Sequence, residues 1–283
     1  MIQALVFTDL DGTLLDDRYD LTGAAAAMDR VTELGGLVVP VSSKTRAEMT
    51  LLREQQRIPT PFIFENGAGI DWGENQLWAA GWVETPSGVH IQGLSYLDLR
   101  EHLARLRHQL GLNFLGFSEL SEKKVSELTK LSLYGARLAK QRLASEPLIG
   151  LNTSESVAAL GSELSECGLL LQKGGRFYTA TSQRQKSDAV AEIVSLLQGQ
   201  MSSRLSLIVC GDSPNDLSML ALGDTAMLFS CPSTNDPEPV SAPGVYSKMK
   251  SHLTEAASVR RLVEVSSAGH EAWWQAVLDE LST

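Results

Sequence analysis

Short apolar runs alternate with segments of helical apolar spacing over residues 1–83, and the same rhythm returns over 184–283. Strands are predicted at 2–8, 37–41, 61–64, 205–210 and 226–229, where β-prone residues follow one another without polar interruption. Such continuous runs suit a parallel sheet covered on both faces. Helices are predicted in the gaps, near 22–34, 45–56, 187–197 and 214–222. The alternation defines an α/β fold with a doubly wound, Rossmann-like parallel-sheet core. Between 84 and 183 the pattern changes to glycine- and serine-punctuated short strands (VHIQGLSYL, LNFLGF, GLLLQKGGRFYTAT) around amphipathic helices such as 99–110. That stretch predicts an inserted α+β cap domain, entered and left by hinges near 81–86 and 181–184. The segment CPSTNDPEP, from Cys231, reads as a loop. Near the end, HEAWWQAVLDEL sets Trp273, Trp274, Val277, Leu278 and Leu281 at helical spacing, a docking helix whose aromatic residues belong to the core.

Composition narrows the partners more than the fold. A chain of 283 residues has room for both domains, and 43% hydrophobic with 20% charged residues is the balance of a folded protein. A net charge of -10, with no Lys/Arg run, argues against nucleic acid or an anionic membrane as partner. An anionic small substrate would still need local cations. Cys167, Cys210 and Cys231 are widely separated, show no CxxC spacing and are odd in number, which points to a reducing cytoplasm. No signal-like leader or membrane-length apolar run is seen, in keeping with that setting.

The chemistry gathers where predicted strands end, the usual ligand edge of an open α/β sheet. In FTDLDGTLLD, Asp9 and Asp11 are two residues apart on an extended segment, so both carboxylates face one way. Gly12 permits a tight turn, which the Thr13 hydroxyl is expected to tie. Crowded carboxylates repel unless a cation or a shared proton intervenes, and Mg2+ is the economical hard ion; turn and cap residues are the other reading. GDSPND repeats the arrangement after the strand LSLIVC, with Asp212 at the strand end and Asp216 completing a Ser213 capping box. Capping accounts for Asp216 but not for Asp212. In VPVSSKTRAE, Thr45 and Glu48 cap a helix whose first amides attract anions, placing Ser42 and the neighbouring Ser43 backbone to hold a phosphate. Lys186, ahead of a helix, is either a surface lysine or the fixed cation that such a site needs.

The order DLDGT, strand-terminal Ser42, Lys186 after an insertion, and GDSPND resembles the haloacid dehalogenase superfamily of phosphatases over nearly the whole chain. The insertion after FIFENGAGI resembles the large cap of the Cof-type branch, and SSKTRAE, ENGAGI and GGRFYTAT together are similar to the mannosyl-3-phosphoglycerate phosphatases. Ser42 stands where the superfamily often has Thr, and Ser187 follows the lysine where Gly is common; both swaps keep the chemistry. The resemblance implies Asp9 as nucleophile, Asp11 as acid and base, and Ser42, Ser43 and Lys186 as phosphate ligands. It implies Mg2+ at Asp9, Asp11, Asp212 and Asp216, with Asn215 nearby. Lys44, Arg46, Asn66 and Arg176 are expected to contact substrate, the last as an arginine fork for a carboxylate, although a hairpin turn at Gly174-Gly175 explains it equally. The implied partner is a small phosphorylated sugar or glycosyl-glycerate. A broader sugar-phosphate phosphatase differs only in the cap; a non-catalytic phospho-ligand module should lack one of the catalytic positions, and none is missing.

Overall fold

The structure is a computed structural model that describes residues 2–15, 21–56, 61–73, 86–174, 176–230 and 243–282. The first part runs β1 (Ala4–Asp9), α1 (Leu21–Glu33), β2 (Gly36–Val41), α2 (Arg46–Gln56), β3 (Phe62–Phe64), β4 (Gly69–Gly73) and β5 (Gly88–Ile91). Next come α3 (Tyr96–Leu110), β6 (Leu115–Gly116), α4 (Glu122–Thr129), α5 (Leu133–Ala139), β7 (Ser145–Ile149), α6 (Ser154–Glu166), β8 (Leu169–Lys173) and β9 (Tyr178–Ser182). The chain closes with α7 (Lys186–Gln198), β10 (Ser206–Gly211), α8 (Leu217–Leu220), β11 (Thr225–Phe229), α9 (Pro243–Glu255), β12 (Arg261–Val265) and α10 (His270–Leu281).

One eight-stranded sheet has the order β12-β11-β10-β1-β2-β3-β4-β5, parallel from β12 to β3 and antiparallel beyond. Every residue of β1 and β2 is buried, as continuous apolar runs require. Leu5 and Phe7 pack with Val190, Ile193 and Leu197 of α7 and Met249 and Leu253 of α9. Ala4 and Val6 face Met28 and Val31 of α1 and Trp273 and Val277 of α10, so the tryptophan helix does dock on the core. The result is the three-layered, doubly wound α/β arrangement. Its two middle strands leave Asp9 opposite Val41, with β10 on the other side.

A second, antiparallel sheet, β6-β7-β9-β8, forms the cap. Leucines of α3 and α6 cover one face with Leu148 and Leu169. Phe117, Val125, Ala136 and Phe177 pack together as a separate small cluster. The segment VHI, expected in the cap, instead extends the core sheet: β5 pairs antiparallel with β4, matching His90 to Ile70, and its imidazole meets the buried Trp72 edge-on. The edge strand β12 went unpredicted because its RLVEV pattern alternates only weakly in burial. The helix expected at 214–222 is a 3-10 turn, Pro214–Asp216, followed by a single α-turn, since the Asp216 carboxylate is drawn back onto the amides that precede it. The chain crosses between sheets at two adjacent points, where Gly93 lies against the Ser182 side chain. The hinge expected at 81–86 falls almost wholly outside the described residues, as do Gly175 and the loop from Cys231; Cys167 and Cys210 are free thiols. Among the described residues no helix is long and apolar enough to cross a membrane.

Candidate active site

Asp9 is the last residue of β1 and is 6% exposed. The turn after it is closed by backbone groups: the Gly12 N–H donates to Leu15 O at 2.9 Å and the Leu15 N–H to Leu10 O at 2.7 Å. The Thr13 hydroxyl, expected to tie this turn, is buried without a partner among the described residues, because the backbone bonds already complete it. Gly12 holds φ at +85°, and a Cβ there would run into the Asp212 carboxylate, so glycine lets two distant loops touch. Asp11 Oδ2 pairs with Lys44 Nζ at 2.5 Å; its Oδ1 is buried and has no partner among the described residues.

Lys186 opens α7 and is 1% exposed, its ammonium 2.5 Å from Asp9 Oδ1 and 2.6 Å from Asp216 Oδ1. The helix start is set by the 3-10 turn Glu65–Gly67: Gly67, at φ +99°, abuts the Gln185 carbonyl, and Arg184 Nε donates to Gly67 O at 2.7 Å. Asp216 caps the turn as its position after Ser213 predicts, and it also pairs with Lys186. Its Oδ2 accepts the Asp212 and Ser213 N–H groups and the Ser213 hydroxyl, while Oδ1 faces Lys186. Carboxylate oxygens of Asp9, Asp212 and Asp216 all lie within 4.8 Å of one another.

Burial, together with the Asp216 and Asp11 charges, outweighs Lys186 and pushes the Asp9 carboxyl up to about 7. Burial and the Asp216 and Asp9 charges raise Asp212 as well. For Lys186, burial would favour the neutral amine, but the Asp216 and Asp9 carboxylates prevail and hold it protonated. A cluster that resists full ionisation despite its lysine is short of positive charge. With a buried, unpartnered Asp11 oxygen beside it, the donor set is all oxygen and fits a small hard divalent cation such as Mg2+. Asp9 and Asp212 have the more available oxygens, since both of those on Asp216 are engaged.

Ser42 follows Val41 at the end of β2 and is 1% exposed; its hydroxyl accepts the Lys44 N–H at 3.2 Å. Its own N–H is used by Ile63 O, and the Thr45 and Glu48 amides are used by the predicted capping box. The N–H groups of exposed Ser43 and of Arg46 and Ala47 in the first turn of α2 have no partner among the described residues, so open amides remain for an anion beside the Ser42 hydroxyl. Lys44 reaches Asp11, and Asn66 Oδ1 accepts from Asn215 Nδ2 at 3.2 Å, joining two loops at the site. Two expected substrate contacts are spent elsewhere. Arg46 Nε pairs with Asp71 at 2.7 Å, where Arg53 joins it at 2.8 Å; despite burial, Arg53 and Arg46 hold this carboxyl below its usual range. Arg176 is exposed and donates to the Leu128 and Thr129 carbonyls at the end of α4, where a cation satisfies orphan acceptors. It makes no hydrogen bond or ion pair with the acid cluster among the described residues.

Sequence reasoning missed the seam between cap and core. Glu65, within the quoted ENGAGI, is fully buried and accepts from the Leu143 N–H (2.9 Å), the Ala144 N–H (3.0 Å) and the Ser145 hydroxyl (2.7 Å). Arg142 Nη1 donates to Ser43 O at 3.0 Å, bringing a cap guanidinium to the Ser42 loop. The one available signal was an acidic residue inside an otherwise apolar and glycine-rich stretch.

Residues 6–81 match the family model of the haloacid dehalogenase-like hydrolases. The whole chain superposes on solved structures of low identity. A haloacid dehalogenase-like hydrolase from Bacteroides thetaiotaomicron matches with a TM-score of 0.63 at 14% identity, covering 98% of this chain and 99% of its own. Another structure from that organism, described among the phosphatases of the haloalkanoate (HAD) enzyme superfamily, gives 0.61 at 14% identity, covering 99% and 96%. A Thermotoga maritima protein gives 0.59 at 18% identity, covering 100% and 98%. The chain thus has the fold of the haloacid dehalogenase-like hydrolases, cap included.

Proposed function

We propose that the protein is a Mg2+-dependent phosphatase of phosphate monoesters, and within that class acts on a phosphorylated glycerate glycoside such as mannosyl-3-phosphoglycerate. The observation that carries the first part is the buried Lys186 bridging Asp9 and Asp216 beside Asp212, one strand from Ser42. In this reading an Asp9 oxygen attacks phosphorus, forming an aspartyl phosphate as the ester P–O bond breaks. Asp11 gives its proton to the departing alkoxide oxygen, then takes one from the water that attacks phosphorus and restores the Asp9 carboxylate. Lys186, the Ser42 hydroxyl and the Ser43 amide hold the transferred oxygens where charge builds. Lys44, paired with Asp11, keeps that carboxyl aimed at the leaving group. Mg2+ held by Asp9, Asp212 and the Asp11 segment would supply shielding between anionic nucleophile and anionic phosphate. The glycerate assignment is supported by the SSKTRAE, ENGAGI and GGRFYTAT resemblance, and a cytoplasmic setting by the free thiols.

A broader sugar-phosphate phosphatase is the second reading, favoured by the internal engagement of Arg46 and Arg176. One assay separates them: phosphate release from a panel of sugar phosphates and glycosyl-phosphoglycerates with Mg2+, with chelator, and with Asp9→Asn. Release should require Mg2+ and fall by about 10⁴-fold or more in Asp9→Asn. Equal release by wild type and variant excludes the mechanism. A flat substrate profile removes the glycerate assignment and leaves the phosphatase.

A further inference from the structure

The cap segment 140–145 is pinned at its end by Glu65, which takes the Leu143 and Ala144 amides and the Ser145 hydroxyl. That fixes the backbone next to Arg142. The side chain is half-buried and fixed as well: Nε donates to Ala139 O at 3.1 Å, and Nη1 to Ser43 O at 3.0 Å and Ser145 Oγ at 3.2 Å. Ser43 lies between Ser42 and Lys44, whose ammonium meets Asp11. The guanidinium is therefore held against the short Ser42–Lys44 loop, which carries the groups assigned to phosphate.

Its surroundings are unusual for this molecule. Arg46 and Arg53 share Asp71, Arg184 has Glu192, and Lys186 has Asp9 and Asp216, but Arg142 forms no ion pair among the described residues. Nη2 also lacks a partner among them. The neutral acceptors that hold Arg142 would be served by any amide donor; the Glu65 carboxylate is linked to it only through the Ser145 hydroxyl, so the half-buried guanidinium has no carboxylate in direct contact among the described residues. A rigid guanidinium with one free edge is suited to a carboxylate.

We propose, resting on the phosphatase reading above, that Arg142 is a specificity residue. Its Nη2 edge binds a carboxylate on the alcohol portion of the substrate, so the preferred class is a phosphate monoester whose leaving group is itself an acid. The test is a matched pair: 3-phosphoglycerate and glycerol 3-phosphate differ by a carboxylate in place of a hydroxymethyl group. With Mg2+, wild type should show kcat/KM about 10- to 100-fold higher on the acid, the value of one charge-assisted hydrogen bond. Arg142→Gln, which keeps an amide donor for Ser43 O, should erase that preference while changing glycerol 3-phosphate turnover by less than about threefold. Arg142→Lys should recover part of the preference, having charge without the fork. An equal fall on both substrates makes Arg142 a cap-docking group only, and overturns the proposal; so does a wild type without preference, or an unchanged preference in Arg142→Gln. Wild type inert on both, on p-nitrophenyl phosphate and on the glycosyl-phosphoglycerate panel overturns the phosphatase reading together with this one, so the two failures are told apart.

Discussion

Two buried acidic centres meet where the cap rests on the core, and they are built on opposite plans. Glu65 is wholly inside the protein, with no cation paired to it among the described residues, yet two amides and a hydroxyl meet its oxygens. A short way along the sheet edge, Asp9, Asp11, Asp212 and Asp216 share two ammonium groups, Lys186 and Lys44, so that full ionisation would leave two negative charges uncovered. The lesson is electrostatic. A buried carboxylate with a full set of donors is finished and holds structure, whereas a group of them short by two charges is prepared for a divalent cation and an incoming phosphate.

The contrast is most exposed to Lys186→Met. Removing this buried cation leaves Asp9 and Asp216 facing each other, so the metal-free protein should lose about 3–5 kcal/mol of stability, read by denaturant unfolding. Phosphate release should fall by on the order of 10²-fold or more. Survival of both would mean that the lysine is a bystander.

Next is the pH dependence without metal. Asp9 keeps its proton up to about 7 in the folded protein against 3.8 as the ordinary value, so the native state holds a proton that the unfolded chain has released. Stability of the metal-free protein should therefore decline as pH rises from about 4 to 7, the reverse of a salt-bridged aspartate. Mg2+ at a hundred times its Kd should return about 2.7 kcal/mol, several degrees in Tm, with a larger gain at pH 8 than at pH 5. Equal gains at the two pH values would place the ion away from these carboxylates.

Glu65→Gln tests the finished centre. One oxygen becomes an amide that cannot accept from its donors, at a cost of about 2 kcal/mol, and wild-type-like turnover of a small monoester such as p-nitrophenyl phosphate should persist. Loss of that turnover would join the two centres into one. The smallest effect is expected for Gly12→Ala, about 1 kcal/mol from the left-handed backbone. Its methyl group pushes on Asp212, so the Mg2+ activation curve should move to higher concentration; an unmoved curve would take Asp212 out of the metal set.

The parallel strands and the loop ends bearing Asp9, Ser42 and Asp212 were legible because each follows a buried apolar run that stops abruptly at a polar turn, and Lys186 because it stands just ahead of a helix. The fates of Arg46 and Arg176 were not. Their partners are Asp71, on an antiparallel strand that reads as part of a glycine-rich stretch, and two carbonyls of a helix 47 and 48 residues away in sequence. Pairing between distant segments has no periodicity to betray it. Glu65 and Arg142 were hidden for the same reason, since their partners lie 78 to 80 and 99 residues away along the chain. The edge strand β5 was assigned to the wrong sheet because its alternation carries no mark of which sheet it joins.

The tripeptide Glu65, Asn66 and Gly67 keeps all three residues at positive φ, a conformation costly by about 1–2 kcal/mol for each of the two that are not glycine. In return, three successive side chains or backbones reach three different places: the cap segment, the Asn215 loop and the first turn before the buried lysine. The cap has, in effect, a keystone that also bears on the chemistry. Three pieces of chain far apart in the sequence are thus seated on one turn, and three residues set how they lie beside one another.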